Sequence, residues 1–123
     1  MNIKRFLQSF KHAWRGIVYT FKHEQNFRVQ VVIAFCVAVC TLVFSLSKSE
    51  IILLYVMITL VLLLELLNTA FEKTLDLLKP RMNLHVEAVK DIMAAMVFLA
   101  SCSATIIGLV ILLPRIIELL GHK

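Results

Sequence analysis

Glu65, Asn68, Glu72 and Asp76 recur at spacings of three and four. On a helix turning about 100° per residue they fall within a narrow arc of one face. They follow Ile51 to Leu64, a run without a single charge. Carboxylates at the end of such a run are costly in or near lipid, and they need a partner: another helix, a metal ion or a polar substrate. The plainer alternative is a helix that has left the bilayer and shows a solvated polar face. Thr69, at the edge of the arc, needs no role beyond a cap or a bond to its own backbone.

Two other places add chemistry to this stripe. Glu24 is the only acidic residue among the first 49, in otherwise basic surroundings. It reads either as a cap or linker residue offsetting nearby lysines, or as a carboxylate that meets the stripe at the same membrane depth. Lys90-Asp91 opens a further apolar run. That lysine can snorkel while Asp91 favours the helix N-terminus. Alternatively it neutralises phosphate, with Asp91 fixing it or a neighbouring group. Carboxylates suit Mg²⁺, and lysine and arginine suit phosphate oxygens. Together these residues are an inventory for phosphoryl transfer to a membrane-bound acceptor, without a Walker sequence or a kinase glycine-rich loop.

The elements that must position them are membrane helices. The chain has 123 residues, 60% hydrophobic and 17% charged, with mean hydropathy +0.88. A soluble domain of this size could not hide so much apolar surface. The length suits one domain, residues 1–123, with three spanning helices and one further element. The first 25 residues interleave charges with apolar residues and lack the continuous core of a secretory signal. Cys36, Cys40 and Cys102 sit inside apolar runs and read as small membrane hydrophobes, neither disulfide nor zinc site.

Over residues 3–22, Ile3, Phe6, Leu7, Phe10, Trp14, Ile17 and Phe21 recur at helical spacing between basic residues. This is the pattern of an amphipathic helix lying in the headgroup layer, with Gly16 marking close packing against a neighbour. Spans are expected at about 29–46, 51–71 and 92–113. Lys79-Pro80 should end the second helix, and Arg81 to Glu87 should connect to a helix starting at Val86. Ala94, Ala95, Ala100, Ser101, Ser103, Ala104 and Gly108 thin the third span for close approach, and Pro114 should loosen its end. Lys4, Arg5, Lys11, Arg15, Lys22, Arg28, Lys73, Lys79, Arg81 and Lys90 all fall on one side, leaving Lys48, Arg115 and Lys123 on the other. The positive-inside rule then expects a cytoplasmic N-terminus and an outer C-terminus. The net charge of +5 is accounted for by this topology and calls for no nucleic acid.

On these residues the chain resembles the small prokaryotic diacylglycerol kinase family, and within it the undecaprenol kinases of Gram-positive bacteria. The resemblance is carried by Phe21-Lys22-His23-Glu24-Gln25-Asn26-Phe27-Arg28, by Glu65-Leu66-Leu67-Asn68-Thr69-Ala70-Phe71-Glu72 and by Lys90-Asp91. Trp14 with Gly16 and Leu113-Pro114 also fit, at unchanged spacing over essentially the whole chain. It implies an all-α integral membrane protein, a homotrimer whose subunits each have three transmembrane helices and an N-terminal surface helix. Active sites would lie at the cytoplasmic membrane edge between subunits. It further implies Glu65 as the catalytic base, and Glu24 and Glu72 as Mg²⁺ ligands. Asn68, Lys90 and Asp91 would contact or support ATP, and Arg5 stands where the family has a basic residue near phosphates or lipid. Two stretches depart from the family: Arg81-Met82-Asn83 replaces a common Glu-Tyr-His, and Met96 replaces a usually small residue.

The expected reaction moves the γ-phosphoryl group of MgATP to the hydroxyl of undecaprenol at the cytoplasmic face of the cell membrane. Diacylglycerol is the near alternative, because both lipids present a primary hydroxyl at the headgroup plane. A small transporter with a functional glutamate is an alternative of another class, but it would place its carboxylate in mid-bilayer and has no use for Glu24 and Lys90 at one edge. A structural subunit of a larger complex would transfer no phosphate. Three helices cannot wrap such a site alone, so an oligomer is expected on the residues themselves.

Overall fold

The computed structural model describes residues 3–78 and 83–121, which form four helices: α1 (Ile3–His23), α2 (Gln25–Val43), α3 (Lys48–Leu78) and α4 (Asn83–Gly121). The last three are each long and apolar enough to cross a membrane. At about 1.5 Å per residue, α2 is about 28 Å long, close to the hydrocarbon thickness. The 31 residues of α3 and 39 of α4 exceed that thickness. Because the charge-free run of α3 is Ile51–Leu64, its overhang falls on the segment from Asn68 to Leu78.

α3 packs most extensively along α4, α2 lies against α3, and α1 touches α2 and α3. The buried apolar residues are few. On α3 they are Leu54, Val61 and Leu75, and on α4 they are Val86, Met93 and Ala100. Both sets step by seven residues, the spacing of a helix–helix seam. On α3 the missing step is Asn68, so the polar stripe lies along the packing seam. Glu65 is buried there and Asn68 and Glu72 are half-buried, while Asp76 at the end of the stripe is exposed, so the solvated-face alternative fits only that last position.

Several boundaries differ from the expected ones. α2 starts at Gln25 and stops at Val43, so the first span sits earlier than 29–46, and Ser45 and Leu46 belong to the turn. That turn is fixed by a reciprocal cap: the Ser47 N–H donates to Glu50 Oε2 at 2.7 Å, and the Glu50 N–H donates to Ser47 Oγ at 3.3 Å. α3 ends at Leu78, while Lys79-Pro80 and Arg81-Met82 lie outside the described residues. α4 begins at Asn83, ahead of Val86, and runs through Pro114 to Gly121. Proline removes one backbone bond there, a loss that membrane helices tolerate, and Arg115 in the following turn reaches Glu50 at 3.9 Å.

Within the single chain, three expected packing features make few contacts. A Cβ at Gly16 would meet nothing within 4 Å, so no neighbour within the chain approaches it. Its carbonyl instead accepts the Thr20 hydroxyl at 3.2 Å. Gly108 is equally open, and it lines a cavity of about 370 Å³ between α2, α3 and α4. Of the small residues in α4 that were expected to bring helices together, only Ala100 is buried. Met96 is exposed.

Candidate active site

Glu24 stands at the joint between α1 and α2. Its N–H continues the α1 ladder to the Thr20 carbonyl at 2.8 Å. Its own backbone is extended, with φ −107° and ψ 117°, so the chain breaks here and α2 starts afresh. Arg28, one turn into α2, locks the corner by donating from Nη1 to the carbonyls of Phe21 (3.2 Å) and Lys22 (3.1 Å). Those are among the carbonyls that the end of α1 leaves unpaired. Glu24 occupies the N-cap position of α2, yet its carboxylate makes no capping bond. The cap alternative thus fails at the side chain, and the carboxylate stays available for another partner.

On α3, Glu65 is buried, only 2% exposed. Its Oε2 accepts a bond from Gln30 Nε2 of α2 at 3.0 Å. The charges of Glu24 and Glu72 both act on it. Thr69 is buried one turn on and donates its hydroxyl to the Glu65 carbonyl at 3.0 Å, the backbone role expected of it. Asn68 Nδ2 donates to Glu72 Oε1 at 3.4 Å. Asn68 Oδ1 is buried without a partner.

At the end of the stripe, Lys90 Nζ of α4 meets Asp76 Oδ1 of α3 at 2.8 Å, and it also feels the charge of Glu72. Lys90 is thus held by a residue on the other helix, whereas the adjacent Asp91 is exposed. Arg5 is exposed near the start of α1. Arg5 precedes Glu24 by 19 positions, about 28 Å of helix, so within one chain Arg5 is not brought to the carboxylates.

Among the described residues, no three His, Cys, Asp or Glu side chains gather as a ready-made metal cluster. Mg²⁺ does not require one, since it is commonly held by one or two carboxylates plus waters and substrate phosphates. Glu24 without a capping partner, Glu72, and the orphaned Asn68 Oδ1 supply hard oxygens of the right kind. The residues present therefore fit Mg²⁺ bound together with a polyphosphate. Lys90 stands within the field of Glu72 as well as of Asp76.

Two features escaped the sequence. Gln30 is the only amide in the run Val29–Leu46, but its importance emerges only once α2 is laid against α3. The Asp76–Lys90 pair spans 14 residues and the connection between two helices, and no local pattern joins those positions.

A buried carboxylate on a membrane helix, with further carboxylates and a lysine along the same stretch, is compatible with a membrane phosphotransferase. The model of the family described as prokaryotic diacylglycerol kinase matches residues 11–112. The chain is 38% identical over 114 residues to an undecaprenol kinase of Bacillus subtilis (strain 168), covering 93% of each chain. It is 34% identical over 115 residues to a diacylglycerol kinase of Synechocystis sp., covering 93% of this chain and 66% of the relative. A diacylglycerol kinase of Haemophilus influenzae is 32% identical over 108 residues, covering 88% of this chain and 89% of the relative. The chain belongs to the prokaryotic diacylglycerol kinase family. It is a membrane-embedded lipid kinase.

Proposed function

We propose that this kinase transfers the γ-phosphoryl group of MgATP to the hydroxyl of undecaprenol at the cytoplasmic face of the membrane. The observation that carries the reading is Glu65: a buried carboxylate at the end of an apolar span, held from one side by an amide and flanked by two further carboxylates. An alcohol anchored in lipid reaches this depth with its hydroxyl leading. Beside it, the cavity between α2, α3 and α4 is almost wholly apolar and suits a hydrocarbon chain. The similarity to the Bacillus subtilis undecaprenol kinase, over 93% of both chains, supports the polyprenol as acceptor. The second reading, diacylglycerol, is favoured by the names of the Synechocystis and Haemophilus relatives.

In this mechanism Glu65 accepts the hydroxyl proton as the alcohol oxygen bonds to the γ-phosphorus and the bond to ADP breaks. Glu24 and Glu72 would hold Mg²⁺, which when bound draws charge from the β- and γ-phosphoryl oxygens. Lys90, oriented by Asp76, neutralises phosphate, and Asn68 keeps Glu72 in place. Asp91 supports the nucleotide from the next position of α4. The excess of lysine and arginine on one side puts the N-terminus in the cytoplasm and the C-terminus outside. α1 then lies on the headgroup layer, its lysines and arginines over anionic lipid. The wide apolar exposure of α2, α3 and α4 fits one domain assembled as a homotrimer in lipid, with Arg5 serving a neighbouring subunit's site.

The test is a competition. Purified protein given equal surface fractions of undecaprenol and diacylglycerol with MgATP should show the higher kcat/KM for undecaprenol. A reproducible preference for diacylglycerol would overturn the acceptor and leave the kinase standing.

A further inference from the structure

Thr59, Thr69, Thr74, Ser103 and Thr105 each donate a hydroxyl to a carbonyl one turn back in their own helix, at 2.8–3.0 Å. Ser101 is half-buried and does not follow them: among the described residues its hydroxyl has no hydrogen-bond partner. It heads the stripe Ser101, Ala104, Thr105, Gly108 and Leu112, whose spacing puts all five on one face of α4, and all five line the cavity between the spans. A hydroxyl on a mostly apolar wall is costly unless something accepts its hydrogen. Its depth follows from both ends of the α3–α4 hairpin. Lys90 meets Asp76, and counting eleven residues inward along each helix brings Ser101 level with Glu65. Arg115 approaches Glu50, and counting fifteen inward along each brings Ala100 level with Glu65. The cavity lining on α3 runs from Leu54 to Leu62, three residues short of that carboxylate. Ser101 thus stands at the depth of Glu65, at the end of the cavity nearest to it.

We propose that Ser101 separates the two acceptor classes: its hydroxyl donates to an ester carbonyl of a diacylglycerol whose primary hydroxyl lies at Glu65. The esters of such a lipid hang from the other two glycerol carbons, so their carbonyls follow a few bonds behind the reacting hydroxyl. An ester carbonyl can only accept, and the Ser101 hydroxyl is a donor without an acceptor. The alcohol keeps its own O–H for Glu65, because Ser101 engages a different oxygen. A polyprenol carries only hydrocarbon behind its hydroxyl and offers Ser101 nothing. With that lipid bound, the serine turns back to the carbonyl one turn earlier, as Ser103 and Thr105 do, at little cost. Ser101 therefore adds affinity for the ester lipid without closing the cavity to the polyprenol. The inference rests on the reading of Glu65 as the group that receives the alcohol, and it names a residue of α4 that sets the acceptor class.

The experiment uses the purified full chain in vesicles with three acceptors, each supplied separately with MgATP. They are undecaprenol, a diacylglycerol, and the dialkyl ether of matching chain length, which keeps the glycerol and its primary hydroxyl but has no carbonyl. The kcat/KM for each is measured in wild type, in Ser101→Ala and in Ser103→Ala, a control whose hydroxyl is already spent on the Leu99 carbonyl. Wild type should favour the ester over the ether about tenfold, the factor that one hydrogen bond of about 1.4 kcal/mol represents. Ser101→Ala should bring ester and ether within about twofold of each other, by loss on the ester alone, and leave undecaprenol within about twofold of wild type. Ser103→Ala should keep the wild-type ratio. No ester preference in wild type, a ratio unchanged by Ser101→Ala, a ratio abolished equally by Ser103→Ala, or an equal loss on all three acceptors would each overturn the proposal. A wild-type protein that phosphorylates none of the three would instead overturn the underlying reading of the site.

Discussion

Glu65 and Glu72 share a helix face but not an environment. Glu65 is sealed beneath Gln30 and backed by Thr69, whereas Glu72 is half-buried beside Asn68. Seven residues, about 10 Å of helix, separate them. A hydrated ion is more comfortable at the outer position, and an alcohol held by lipid at the inner one. Glu24→Gln and Glu72→Gln should therefore each raise the Mg²⁺ concentration needed for half-maximal activity and lower turnover about 100-fold, without loss of the assembled protein. Near-normal Mg²⁺ dependence in either variant would remove that residue from the metal site. The stripe was legible because 65, 68, 72 and 76 repeat at helical spacing after a charge-free run. Gln30 was not, because a single glutamine in an apolar run carries no periodic signal until its helix meets another.

At the scale of elements, the α1–α2 joint decides where Glu24 points. The corner is held by Arg28 reaching back over two carbonyls of α1, so on the proposed reading the arginine acts on Glu24, the proposed metal ligand, through the backbone. Arg28→Met retains the aliphatic stem and removes those bonds. It should weaken Mg²⁺ affinity about tenfold, as loss of a residue that orients a metal ligand commonly does, while acceptor KM is unchanged. A titration of activity against Mg²⁺ reads this directly, and an unchanged midpoint would show that the corner holds without Arg28. The four helices were legible in their hydropathy, but some ends were not. Pro114 looked like a place where the last helix loosens, yet α4 continues past it where the following turn, through Arg115, approaches Glu50 on α3. Gly16 looked like a contact point, yet nothing in the chain approaches it. Both turn on which parts of the chain meet at a distance in sequence, and no local rule reports that.

The whole molecule solves a meeting problem between a nucleotide dissolved in water and an alcohol dissolved in lipid. α3 and α4 are long enough to carry one seam from the apolar interior to beyond the membrane edge. Along that seam lie, in order, the cavity, Gln30 with Glu65, Asn68 with Glu72, and Asp76 with Lys90. In the proposed mechanism, lipid chain, reacting hydroxyl, metal-bound phosphates and phosphate-neutralising lysine would follow the same order. The central claim is that Glu65 acts on the alcohol at the meeting point and is not part of the nucleotide shell. The most direct test uses purified protein in vesicles containing undecaprenol, supplied with γ-labelled MgATP, comparing wild type with Glu65→Gln for label in the lipid and for MgATP affinity. Wild type should place the label on undecaprenol, and Glu65→Gln should bind MgATP normally while transferring at least about 100-fold less. Absence of label in the lipid with wild type, or a loss of MgATP binding in Glu65→Gln as large as its loss of transfer, would contradict the account.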